Sequence, residues 1–253
     1  MAAFGKRRRD RQERTASGQP IYRHQATDGS WQPPAHVDPA QRTAIEQHYE
    51  TFLGPSEAVW HEIVSHLVHI DVFMWTPTDE RPMYTFATVG MSDKPVTVPK
   101  GALAEGRTAL AELVVCLPPS WPVPTDLQDT SPWDDADAYF PIRWLKQLAR
   151  LPHEYQTWLG SGHTIPNADP PEPFARSTQL CGWVLLPPIT LPKPAHHLDL
   201  PGGRRLDVLG IVALHGDEMD AKLAHGTESL LDGFDRHGVS ELLDIGRPSS
   251  LHV

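Results

Sequence analysis

Fourteen histidines in 253 residues make metal chemistry the first possibility to weigh. The run His61-Glu62-Ile63-Val64-Ser65-His66 comes close to the helical zinc motif, in which a glutamate follows the first of two histidines four apart. Here the histidines are five apart. On a helix, at about 100° per residue, they point about 140° away from each other and do not share an ion. His69 and Asp71 alternate along a strand-like run, so they share a face and can reach one ion. Phe73 and Trp75 lie on that same face, which favours a hydrogen-bonded His–Asp pair beneath side chains. A metal-dependent hydrolase built on this pair would need a third ligand, for which His163 and His215 are the candidates. His215 with Asp217, at a strand end, and His196-His197, in a proline-rich loop, read mainly as solvated surface.

Other chemistries leave weaker marks. There is no Gly-x-Ser-x-Gly elbow to support a Ser-His-Asp triad, and no glycine-rich phosphate loop. Cys116 and Cys181, the only cysteines, each sit in an apolar run, so they read as buried reduced thiols, neither nucleophiles nor a disulfide. Neither catalysis nor a cofactor is expected. Of eight tryptophans, Trp144 and Trp158 fall on a helical stripe and belong to the core. Trp121 and Trp133, in the proline-rich stretch, are candidates for an interface.

The elements that would position these groups follow from periodicity. Asp38-Pro39 is a good N-cap and first helical residue, and Ile45, Tyr49, Phe52 and Leu53 recur at helical spacing before Gly54-Pro55. A short helix is expected over residues 56–63. Strands are expected at 66–75, where Val68, Ile70, Val72 and Met74 form a wholly apolar face, and at 83–89, 111–117, 179–186 and 206–214. The strongest helical stripe is Trp144, Leu148, Leu151, Tyr155, Trp158 and Leu159, with Pro141 in its first turn, Pro152 as a kink and Gly160-Ser161-Gly162 as its stop. Gly202-Gly203 reads as a hairpin turn. Residues 217–225 and 227–237 read as helices ended by Gly226 and Gly238. Strands come both in succession and between helices, so the expected class is α+β: a mixed β-sheet with helices packed against it, in a single domain.

Charge divides the chain. Residues 1–45 hold eight basic and four acidic side chains, so a net charge of −10 leaves −14 on the remainder. Residues 1–37 read as a disordered basic arm and 38–253 as the folded domain. The acidic body favours a basic partner and disfavours nucleic acid, which the arm alone could touch. No apolar stretch reaches the ~20 residues of a membrane helix, and no apolar run follows the basic start, so a cytoplasmic protein is expected.

Several ordered blocks together resemble the Suppressor of fused domain family. They are His69-Ile70-Asp71, the segment 83–93 ending in Gly90-Met91-Ser92-Asp93, the strand 111–118, the helix opening Pro141-Ile142-Arg143-Trp144, the turn Gly160-Ser161-Gly162-His163, and residues 209–219. The similarity spans roughly residues 42–250, and the basic extension lies outside it. In animals this domain forms the N-terminal half of a repressor that clamps a transcription factor, and the second half of that clamp has no counterpart here. Stand-alone bacterial members are proposed to be immunity proteins that neutralise a toxin. The resemblance therefore implies a protein-binding module without catalysis. The Gly90-to-Asp93 segment is expected as an exposed turn. Asp93 and the turn Gly160, Ser161, Gly162 and His163 would then be polar contacts at one end of the sheet. The competing reading is that both turns only end their elements.

Overall fold

The computed structural model describes residues 13–18, 21, 30–99, 102–103, 109–124 and 129–252. Among these residues eight strands form one sheet: β1 (Ala58–Trp60), β2 (Asp71–Trp75), β3 (Tyr84–Val89), β4 (Leu110–Leu117), β5 (Thr164–Pro166), β6 (Gly182–Leu186), β7 (His197–Leu200) and β8 (Arg204–Leu214). Their order is β1-β2-β3-β4-β8-β6-β5, with β7 beside the first half of β8. All pairings are antiparallel except β4 with β8, which is parallel, so the sheet is mixed as expected.

Among the described residues four α-helices pack on this sheet: α1 (Pro39–Leu53), α2 (Ala136–Glu154), α3 (Gly216–His225) and α4 (Glu228–His237). Strand alternation decides which side chains they meet. Leu113, Val115, Leu209 and Ile211 face α2, which contributes Phe140, Ile142, Leu145 and Leu148. Val114, Cys116, Leu206 and Val208 face the other way, onto Ile45, Tyr49 and Leu53 of α1. Beside α1, Met219, Leu230 and Phe234 of α3 and α4 cover Val184, Val212 and Leu214. Each of these large apolar side chains contributes roughly 1.5–3 kcal/mol on burial. Cys116 and Cys181 are buried free thiols, and burial pushes the Cys116 thiol up to about 12. Among the described residues no helix is long and apolar enough to cross a membrane.

Two expectations are corrected. Residues 56–63 do not form a helix. Ala58, Val59 and Trp60 pair instead with Met74, Phe73 and Val72, because the free edge of β2 offers hydrogen bonds that a two-turn helix could not match. The long helix begins earlier and ends sooner than the stripe implied. Asp135 caps it, its side chain accepting from Asp137 N–H at 2.9 Å, so Pro141 lies inside rather than in the first turn. It stops at Glu154, Pro152 occupying the final turn, and Gln156 turns the chain at φ 49. Trp158 and Leu159 are therefore not helical. The hairpin at Gly202-Gly203 joins β7 to β8 as expected. Most of the basic arm lies outside the described residues. Within it, Ala35 N–H donates to Leu67 O (2.9 Å) and Trp31 Nε1–H to Ser65 O (3.1 Å), laying residues 31–35 along the loop between β1 and β2.

One buried carboxylate organises the end of the sheet. Glu112 on β4 has no solvent exposure. It accepts five hydrogen bonds: from Thr88 Oγ1 (2.7 Å), from the N–H groups of Gly90 (3.0 Å), Met91 (3.3 Å) and Ser92 (3.0 Å), and from Ser92 Oγ (2.7 Å). The turn expected to be exposed after β3 is thus wrapped around a buried acceptor, and Met91 and Ser92 are buried. Gly90 sits at φ 124, and a Cβ there would lie 2.0 Å from His69 O. Gly90→Ala should cost roughly 3 kcal/mol or more in urea denaturation, since both its dihedral angle and the adjoining carbonyl oppose a side chain.

Burial pushes the Glu112 carboxyl up to about 7, against the donors that favour its charge. The unfolded group titrates near 4.5, so its contribution to stability is complete below pH 4.5 and falls as the pH rises through 7. Glu112→Gln should cost about 3 kcal/mol at pH 5, with a penalty that shrinks toward pH 8. A penalty growing with pH in paired denaturation curves would place the carboxyl below its ordinary value instead.

Candidate functional site

Beside the Glu112 turn, five polar side chains converge where α1, the turn and the start of β2 meet. Asp38 caps α1, accepting from Ala40 N–H (3.0 Å), and so aims the first helical turn at the sheet. Arg42 in that turn donates to Asp93 Oδ2 through Nε (3.0 Å), to Asp71 Oδ2 through Nη1 (2.6 Å) and to His69 O through Nη2 (2.6 Å). Gln41 reaches Ser92 O (3.1 Å), fastening the helix to the Glu112 turn as well. Asp71 and Asp93 side chains are 6% and 1% exposed, so this is a buried network with one guanidinium between two carboxylates. Burial raises the Asp93 carboxyl above its ordinary value despite Arg42.

The second oxygen of Asp71 faces two imidazoles. Oδ1 lies 2.9 Å from His61 Nδ1 and 2.9 Å from His69 Nε2. The other nitrogen of His69 lies 2.6 Å from Ser65 Oγ. Among the described residues, His61, His69 and Asp71 form the one cluster whose ligand atoms could meet at a metal ion. His61 is 70% exposed and also lines an open pocket of about 260 Å³ with Trp60, Trp133, Tyr139 and Lys146. Trp133 stacks obliquely between Trp60 (ring centroids 4.7 Å) and Tyr139 (5.4 Å).

The His69–Asp71 pair is present as the alternation implied, but its third member is His61, not His163 or His215. His163 is held edge-on to Trp158 at 4.4 Å, and burial together with the charge of Lys222 lowers it to about 4. His215 caps α3, with its ring bonded to Arg247 O at 3.0 Å. His215 and Asp217 are not free surface either. Ser249 Oγ donates to Asp217 (2.6 Å), and the adjoining Glu218 is clasped by both Arg247 Nη groups at 2.7 and 2.6 Å. His61 and His66 do not share an ion, as expected, though residues 61–66 are a loop and not a helix. His66 instead accepts Gln32 N–H at 3.0 Å.

The remaining candidates scatter. Gly90, Met91, Ser92 and Asp93 serve the buried networks just described. Trp121 is core, its Nε1–H donating to Ala138 O at 3.0 Å, whereas Trp133 is half-buried at the pocket. In the second turn Ser161 is exposed, and Gly160, Gly162 and His163 are half-buried. Gly162 N–H donates to Leu185 O (2.7 Å), which leads the chain into β5, an edge strand with β6 as its one neighbour among the described residues. The two turns are joined through the end of α2: His153 bonds Met91 O (2.9 Å) and Thr97 N–H donates to Thr157 O (3.1 Å). Sequence reasoning missed Arg42 and Glu112. A glutamate interrupting the apolar run 110–117 was the available signal, since a lone acid there must find donors.

A family model described as Suppressor of fused protein matches residues 66–248. No protein with a curated description matches the chain. Among solved structures, a Suppressor of fused homologue from Neisseria gonorrhoeae superposes with TM-score 0.55 at 16% identity, covering 84% of this chain and 97% of that one. A chain of the Sufu–Fu complex gives TM-score 0.57 at 14% identity, covering 87% and 94%. Drosophila Suppressor of Fused gives 0.53 at 15%, covering 85% of this chain and 54% of the other. At these identities the structures share the fold. The matched region takes in both the Glu112 turn and the Gly160–His163 turn, and on that match the chain belongs to the Suppressor of fused family.

Proposed function

We propose that this protein is a protein-binding module, and specifically an immunity protein that holds and neutralises a basic toxin. Family membership supports the general class, as does a relative solved as the Sufu–Fu complex. The observation that carries a binding site is the edge strand β5. Among the described residues it has one neighbour in the sheet, and it is reached through a turn whose Ser161 is exposed. An extended segment of a partner adds to such an edge by main-chain hydrogen bonds, with side chains beside it setting specificity. The turn Gly160, Ser161, Gly162 and His163 is then the polar margin of that interface. Gly90 to Asp93 are tied toward that turn through the end of α2, where His153 bonds Met91 O.

The charge argues for the partner's sign. The chain outside residues 1–45 carries −14, which steers a cationic protein toward it from a distance and leaves binding sensitive to salt. A nuclease toxin is a partner of that kind. A membrane or an additional cofactor has no part in this reading. The cytoplasm is the compartment proposed.

Full-length tagged protein should retain a stoichiometric partner at low salt and less of it at moderate salt. That partner should arrest growth when expressed alone and be harmless when co-expressed with this chain. Ser161→Lys should weaken retention about tenfold without moving the melting temperature. A partner that is harmless on its own sinks the immunity role, and retention unchanged in Ser161→Lys moves the interface away from β5.

A further inference from the structure

We infer that His61, His69 and Asp71 form a zinc(II) site with three protein ligands and a fourth position open to solvent. The inference is independent of the toxin-binding role. It rests first on convergence: one nitrogen from each imidazole and one oxygen of the carboxylate all lie within 4.8 Å of one another. A tetrahedral zinc ion, with bonds of about 2.0–2.2 Å, holds its ligand atoms roughly 3.3 Å apart. The two nitrogens already lie 2.9 Å from Asp71 Oδ1, so closing on an ion needs small outward shifts. His61, on the exposed loop, has room to make them.

The surroundings are those of a built site. Metal-bound histidines are oriented by a partner on the other ring nitrogen, and bound carboxylates by a partner on the other oxygen. His69 Nδ1 has Ser65 Oγ at 2.6 Å, a hydroxyl that can accept from the Nδ1–H tautomer, the one whose Nε2 would face an ion. Asp71 Oδ2 is held by Arg42 at 2.6 Å, which leaves Oδ1 for the ion. The loop that carries His61 and Ser65 is tied down on both sides. Glu62 pairs with Arg150 of α2 and accepts Ile70 N–H (3.1 Å), and Trp31 Nε1–H donates to Ser65 O (3.1 Å).

Charge and access define the ion and its fourth ligand. Arg42 stands against two buried carboxylates, Asp71 and Asp93, leaving one excess negative charge. A divalent ion reverses that to one positive, which an anionic fourth ligand then neutralises. Nitrogen and oxygen donors in this ratio suit zinc better than calcium or magnesium, which take oxygen donors throughout. His61 is the exposed ligand of the three, so the fourth position is reached from its side, by hydroxide or a partner's carboxylate or thiolate. Each imidazole binds as the neutral ring, with its proton on the far nitrogen; where the fourth ligand is hydroxide or a thiolate, the proton of the water or thiol passes to solvent.

The test uses the full chain, untagged and stripped with a chelator, titrated with zinc(II) against a chromophoric competitor. Cobalt(II) serves as the spectroscopic probe. Wild type should bind one zinc per chain in competition with the chelator, and cobalt should show the intense visible absorption of a four-coordinate ion. His61→Ala and His69→Ala should each weaken binding by at least about a hundredfold, and Ser65→Ala by about tenfold. The exposed His252→Ala should change nothing, which separates this site from the other histidines. Circular dichroism of the metal-free variants reports folding independently, and His61→Ala, altering an exposed loop side chain, should melt as wild type does. Failure of wild type to compete for zinc, or equal binding by wild type and His61→Ala, overturns the site.

Discussion

The carboxylate of Glu112, enclosed without solvent between β3 and β4, is the constraint on which the functional end of the sheet depends. An ionised group in that position is tolerable only if donors surround it, and five do. Three of the five are backbone N–H groups of consecutive residues, so meeting the need of one acid dictates the path of the chain after β3. That path requires Gly90, because the carbonyl of His69 occupies the place of a side chain. It also delivers Asp93 to Arg42, and Arg42 in turn to Asp71. The geometry presented to His61 and His69 is therefore inherited from a buried hydrogen-bond network on a different strand.

A second network of the same kind closes the far side. Burial works to raise the Glu218 carboxyl, but Arg247 and the N–H groups of Ser250 and His215 overcome it and hold the group at about 2. Its contribution is thus present above pH 4.5 and lost as the pH falls toward 2. Glu112 runs in the opposite sense, because its donors do not outweigh its burial and include no cation. Glu241 completes the set, accepting from Ile189 and Thr190 N–H at 3.1 and 2.8 Å and pinning the loop between β6 and β7. Three buried acids each fasten a loop to the sheet, and none of the three is presented to solvent for chemistry.

This use of charge accounts for the division of the molecule. The acids most buried are structural, whereas the groups left at the surface are an edge strand with an exposed serine at one end of the sheet and, at the other, the exposed His61 of a His–His–Asp cluster. β1 and β5 are the terminal strands of the sheet order, so the two surface features lie at opposite edges. Protein binding at one and a metal ion at the other would not compete for the same groups.

The sequence alone determined what depends on neighbours along the chain. Alternation in β2, β4 and β8 assigned each residue to a face, Asp38-Pro39 placed the start of α1, Gly226 and Gly238 ended α3 and α4, and the His69–Asp71 alternation showed that the two side chains share a side. The mixed sheet and the family blocks followed from the order of such segments. Tertiary structure decided the rest, because it depends on groups far apart in sequence. Residues 58–60 became a strand through the open edge of β2, and α2 ended before Trp158. Asp93 left the surface because Glu112 claimed its turn. His61 joined His69 because a loop, not a helix, lies between them. Local pattern reports which side of an element a residue occupies; only the packed chain settles which unpaired donor or acceptor it must meet there, and in this protein those long-range pairings built both candidate sites.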